Sequence, residues 1–126
     1  MVKKVFISYK WEDKASRNGL EGAMKNTNNN FDAISDSERK DLRSKGEKEI
    51  KEYLKEKIRK SNAVICLVGQ DTHSSEMVQW ELEVSNSLGK KIIPVRIPNT
   101  TGGAPKPIRN KDLLNWNIDD INNALL

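Results

Sequence analysis

Short apolar runs alternate with helical stripes along the chain. Val5-Phe6-Ile7 is apolar and β-favouring, which predicts a first strand. Residues 14–26 carry Ala15, Leu20, Ala23 and Met24 at helical intervals and predict a helix, with Gly19 and Gly22 opposing it. Phe31-Asp32-Ala33-Ile34 predicts a short second strand. From Glu47 to Lys60 the apolar positions Ile50, Leu54 and Ile58 recur every four residues, with Tyr53 beside them, as on an amphipathic helix. Ala63 to Val68 is unbroken apolar sequence ended by Gly69, which predicts a strand covered on both faces. Ser74 or Ser75 then caps a helix whose stripe is Met77, Trp80, Val84 and Leu88, with Glu76 in its first turn and Gly89 as its stop. Ile92 to Ile97 predicts another strand, in which Pro94 implies an interruption or a sheet edge. Leu113-Leu114-Asn115-Trp116 predicts a short fifth strand, and Ile118 to Leu126 a closing helix with Asp119 and Asp120 at its start. Two polar stretches, residues 26–30 and 99–107, are rich in Asn, Thr, Gly and Pro and read as surface loops.

Strands alternating with helices imply a parallel sheet with helices on both faces. The expectation is one α/β domain over residues 1–126, a flavodoxin-like three-layer sandwich with five parallel strands in the order 2-1-3-4-5. Such sheets take ligands at the carboxyl ends of their strands, near the switch point between strands one and three. The residues just past those ends are Ser8, Tyr9, Lys10 and Trp11 on one side and Gly69, Gln70 and Asp71 on the other.

Composition narrows the function classes. The 126 residues are 36% hydrophobic and 32% charged, with a net charge of +4. Basic and acidic residues interleave, as in Lys48, Glu49, Lys51, Glu52, Lys55, Glu56 and Lys57, which reads as a solvated helix face and not as a nucleic-acid stripe. No apolar run approaches a membrane span, and the first residues do not read as a signal peptide, so a cytoplasmic protein is expected. One cysteine, Cys66, and one histidine, His73, exclude a disulfide framework and a cysteine-based zinc site, and no metal site is expected. Cys66 lies inside an apolar strand and reads as a buried thiol. There is no glycine-rich dinucleotide fingerprint and no P-loop. A phosphoacceptor receiver domain needs acids where this chain has Ser8-Tyr9 and Gly69-Gln70. Glu81 stands at the margin of the Met77–Trp80–Val84 stripe, where a carboxylate is partly desolvated and electrostatically strengthened, although spacing alone favours an ordinary edge-of-helix glutamate.

Several segments, in order, resemble a known family. Val5-Phe6-Ile7-Ser8-Tyr9 looks like the opening strand of a TIR domain. Gly46, Ile50, Leu54, Ile58 and Ser61 are similar to the helix after its BB loop. Val64 to Val68, Gln70-Asp71-Thr72 and Val78-Gln79-Trp80-Glu81-Leu82 look like its third strand and the segment beyond. Phe31-Asp32-Ala33 and Lys91 to Val95 fit as well, so the resemblance spans about residues 3–97 and is closest to the TIR-like domains of bacterial Thoeris antiphage systems. It implies cleavage of the nicotinamide–ribose bond of NAD, with NAD as substrate and no separate cofactor, and formation of a linear or cyclic ADP-ribose signal. The alternative is a non-catalytic TIR module acting by self-assembly. The family's catalytic glutamate falls on Glu81. Phe6, Ser8, Tyr9, Trp11, Asp36 and Trp80 fall at substrate-binding positions, and residues 36–45 on the BB loop that flanks substrate and mediates self-association. Lys10, Arg39 and Arg43 are candidates to neutralise the pyrophosphate. The implied partners are NAD, further copies of the chain and a downstream effector that senses the nucleotide signal, with no nucleic acid and no membrane. Where TIR enzymes often carry an aromatic residue a few positions before the glutamate, this chain has Met77, and Trp80 is immediately adjacent.

Overall fold

The six-residue apolar run Ala63–Val68 is buried at every position, because helices cover both faces of the sheet around it. The structure is a computed structural model and describes residues 3–27, 31–33 and 46–126. Its strands are β1 (Lys3–Ser8), β2 (Phe31–Ala33), β3 (Ala63–Val68) and β4 (Lys91–Arg96). Its helices are α1 (Lys14–Thr27), α2 (Glu47–Lys60), α3 (Glu76–Ser87) and α4 (Ile118–Leu125). All strand pairs are parallel and the order is β2-β1-β3-β4.

The expected fifth strand is reduced to a single parallel bridge between Leu114 and Val95, so the sheet has four strands among the described residues. The next residues leave the edge at once: Asn117 N–H bonds Asn115 O at 2.8 Å, and the Asn117 side chain caps α4 by accepting the Asp120 N–H. Pro94 is tolerated because its missing N–H is on this edge side, where its carbonyl accepts the Leu114 N–H at 2.9 Å.

Alternation along β1 splits its side chains between two cores. Val5, Ile7 and Tyr9 join Ile65, Leu67, Ile93 and Val95 beneath α1 and α4. Phe6, Val64, Cys66 and Val68 join Leu54 and Ile58 of α2 and Val78 and Leu82 of α3. Ser8 belongs by position to this second face and is fully buried.

The polar stretch at residues 99–107 is the surface loop expected of it, and it is also docked onto the sheet's carboxyl end. The Gln70 side chain exchanges two hydrogen bonds with Thr101, and Arg96 donates to Gly102 O at 2.7 Å. Gly102 is required by contact: a Cβ there would stand 2.0 Å from Gln70 O. Hydrogen bonds to the β3 and β4 ends hold the loop in place while Asn99, Thr101, Gly103 and Lys106 stay exposed.

Candidate active site

The carboxyl end of β1 brings Ser8 to the inner surface of α3. Ser75 fixes the start of α3 by accepting the Val78 N–H on its side-chain oxygen. The helix then buries Val78, Glu81, Leu82 and Ser85. Met77, Trp80, Val84 and Leu88, the stripe expected from apolar spacing, flank that face and are only partly buried. The true inner face is turned by about one residue, because two of its four positions are polar.

Glu81 is therefore not at a margin. Its relative exposure is 0%, as is that of Ser8, and the Ser8 hydroxyl donates to Glu81 Oε1 at 2.8 Å. Ser85 donates its hydroxyl to the Glu81 carbonyl at 2.7 Å. Cys66 is paired with Ser8 across β1 and β3, so hydroxyl and thiol lie side by side on one face. Burial pushes the Cys66 thiol far up, and the nearby Glu81 carboxylate adds to the shift. The thiol is neutral at physiological pH. In its ionised form a carboxylate held out of solvent, with the Ser8 hydroxyl among its donors, exerts a strong local field on any positive charge brought to it.

The other expected positions separate. Phe6 is buried on the Glu81 side of the sheet. Tyr9 packs in the opposite core, so the structure does not bring its side chain to Glu81. Trp11 is 38% exposed in a 3-10 turn, with Lys14 Nζ 4.8 Å from its ring centre. Lys10 pairs with Glu12 at 3.6 Å. Trp80 forms part of a groove of about 410 Å³ with Glu47, Lys48, Lys51, Glu52 and Lys55 of α2, and Lys51 Nζ stands 5.3 Å from its ring centre. Asp36, Arg39, Arg43 and the segment 36–45 lie outside the described residues.

A further cluster spans the switch point itself. Thr72 is fully buried, accepts the Gly69 N–H at 2.7 Å and hydrogen-bonds the Asp13 side chain. The Asp13 carboxylate lies over Gly69 so closely that a Cβ there would stand 2.6 Å from its Oδ2. Burial raises the Asp13 pKa, Glu12 and Asp71 raise it further, and Lys10 and Thr72 oppose them. Asp13 and Thr72 stand just beyond the residues picked out at the strand ends. The signal available was their place in the two loops that face each other across β1 and β3. Among the described residues, no group of three or more His, Cys, Asp or Glu is placed to hold a metal ion.

A parallel sheet ordered β2-β1-β3-β4 with helices on both faces is a flavodoxin-like α/β arrangement, the fold that TIR domains share. The TIR domain of the Toll-related receptor TRR-2 from Hydra magnipapillata superposes with a TM-score of 0.66 at 19% identity, covering 96% of this chain and 90% of that one. A prokaryotic SEFIR domain gives 0.62 at 18% identity, over 97% and 86% of the two chains. The 2-desoxiribosyltransferase from Leishmania mexicana gives 0.57 at 19% identity, over 75% and 64%. These likenesses establish the fold. The family model described as Thoeris protein ThsB, TIR-like domain, matches residues 6–102, and the chain belongs to that family. No curated protein matches the sequence.

Proposed function

We propose that this domain cleaves the nicotinamide–ribose bond of NAD, with Glu81 as the catalytic carboxylate, and that its ADP-ribose product is a signal in antiphage defence. The observation that carries the reading is the Glu81 carboxylate, buried completely and held by Ser8 at the carboxyl end of β1. Burial of an ionisable group is costly, and such groups cluster at functional sites. Membership of the Thoeris TIR-like family supports the same reading.

The chemistry needs only one carboxylate. When the ribose C1′–N bond breaks, its electron pair goes to the ring nitrogen and neutralises the cationic nicotinamide. No proton has to be supplied to the leaving group. The ribose is left oxocarbenium-like, and a fixed negative charge stabilises that developing positive charge. Water then closes the reaction to ADP-ribose and releases a proton, or a nitrogen of the adenine attacks C1′ and gives a cyclic product. Glycosidases, by contrast, normally need a second carboxyl to protonate an oxygen leaving group. Self-association and a downstream effector that reads the nucleotide belong to the same proposal.

The test is nicotinamide release from NAD by the purified chain, alone and in lysate of phage-infected cells. Glu81→Gln keeps size and can still accept from Ser8, but it removes the charge. It should lower release by roughly a hundredfold or more. Glu83→Gln is the control, because Glu83 is exposed on α3 and accepts only a surface hydrogen bond from Gln79 at 3.1 Å. Equal turnover by Glu81→Gln and the parent removes Glu81 from the chemistry. A parent silent under both conditions favours the module that acts by assembly.

A further inference from the structure

We propose that Ser8 is a positioning residue that aims the Glu81 carboxylate, and not a contact to substrate. The proposal rests on the NAD-cleaving reading. It departs from what family resemblance implies, which sets Ser8 among the substrate-binding positions.

Burial gives the first argument. Ser8 and Glu81 are both fully enclosed, and the hydroxyl is already committed as donor to Glu81 Oε1 at 2.8 Å. That bond uses the only proton Ser8 can donate, so toward a substrate the hydroxyl could act only as an acceptor.

Stiffness gives the second. Ser8 is on a strand whose register with β3 is fixed, Ser8 opposite Cys66. A serine has one side-chain torsion before its oxygen, whereas glutamate has three before its carboxylate. The anchored, short side chain therefore sets the rotamer of the long one. Glu81 is itself fully enclosed, in an interior packed too densely for a long side chain to change rotamer freely.

The surroundings give the third. Beside Ser8 on this face the neighbour is Cys66, whose thiol stays neutral. A thiol is a weak donor, so of these two side chains the hydroxyl is the one that can hold a carboxylate oxygen firmly. Ser8 thus acts through Glu81: it fixes where negative charge stands when positive charge develops on the ribose.

A group that only orients the catalytic carboxylate alters the chemical step and not ground-state binding. In the full-length chain, Ser8→Ala should lower kcat for nicotinamide release by roughly tenfold to a hundredfold, the scale of a misplaced catalytic group. KM for NAD should stay within about twofold of the parent. Ser8→Thr, which keeps the hydroxyl, should recover most of the loss. Ser8→Cys keeps nearly the same volume with a poor donor and should behave like Ser8→Ala, so the inference remains testable if one variant fails to fold. A KM raised about tenfold with kcat unchanged makes Ser8 a substrate contact and overturns the inference. So does parental kcat in both Ser8→Ala and Ser8→Cys. If the parent itself releases no nicotinamide under either assay condition, the NAD reading fails and any catalytic use of Ser8 fails with it. An active parent with a KM effect alone defeats only the role given to Ser8.

Discussion

The two faces of the sheet are built from the same strands and obey different rules. Under α1 and α4 the core gathers Val5, Ile7, Tyr9, Leu20, Met24, Ile65, Leu67 and Ile121, and the buried Arg17 of α1 pairs with Glu21 on its own helix. Under α2 and α3 an equally buried core admits Ser8, Cys66, Glu81 and Ser85. Both faces exclude water. Among the described residues, only the second encloses a carboxylate completely, which burial penalises and which has to be held by a hydrogen bond. The second face gives up some stabilisation to enclose that carboxyl near the switch point. A fully buried carboxyl bonded to a residue from another element marks where to look for chemistry, whereas Arg17 and Glu21 pair within one helix.

The contrast breaks first on the apolar face. Leu20→Ala should cost about 2–5 kcal/mol, because Leu20 is fully enclosed between α1 and the sheet and its loss leaves a cavity. Urea unfolding measures this, while nicotinamide release per folded molecule should match the parent. A large fall in turnover with little loss of stability would reverse the roles assigned to the two faces.

A smaller effect is expected when the polar face is made to resemble the apolar one. The double variant Ser8→Ala/Glu81→Met removes donor and acceptor together and nearly keeps the glutamate volume. Replacing both partners of a buried polar pair by apolar groups is often neutral or stabilising. Its unfolding free energy should fall within about 1 kcal/mol of the parent, or above it, with turnover abolished. A loss of the Leu20→Ala size would mean that the pair is required for folding.

The smallest effect concerns the rim where the loops after β1 and β3 meet. Asp13 has its pKa raised above the ordinary 3.8, so the folded state holds this proton more tightly than the unfolded chain. Between those two values the native state binds more protons, and this group's contribution to stability falls as pH rises through the window. Asp13→Asn removes the titration. Comparing urea midpoints from about pH 3 to about pH 6, the variant should gain on the parent as pH rises and then run parallel to it. A gap that moves the other way would show that Thr72 and Lys10 outweigh burial at this carboxylate.

The chain's elements were legible because each leaves a periodic trace. The i, i+4, i+8 run of Ile50, Leu54 and Ile58 predicts α2 from Glu47 to Lys60, and the structure has those bounds. The apolar run predicts β3 at Ala63–Val68, and a capping serine before Glu76 opens α3. Parallel pairing followed from strand–helix alternation. The fifth strand did not survive, because Leu113–Trp116 has apolar residues enough for a strand but only Leu114 pairs before Asn117 caps the next helix.

Local pattern by itself determined which segments are helix and strand, which end of the sheet carries the candidate residues, and that Glu81 stands beside an apolar stripe. Only the tertiary structure decided that Glu81 lies inside the core, that Ser8 is its hydrogen-bond donor across 73 positions of sequence, and that Tyr9 belongs to the opposite face. It also decided that Gly102 presses on Gln70 and that Asp13 covers Gly69. The reason is physical: periodicity reports burial through the residues that dislike water. A buried carboxylate breaks that signal, and its burial depends on a partner brought from another element by folding.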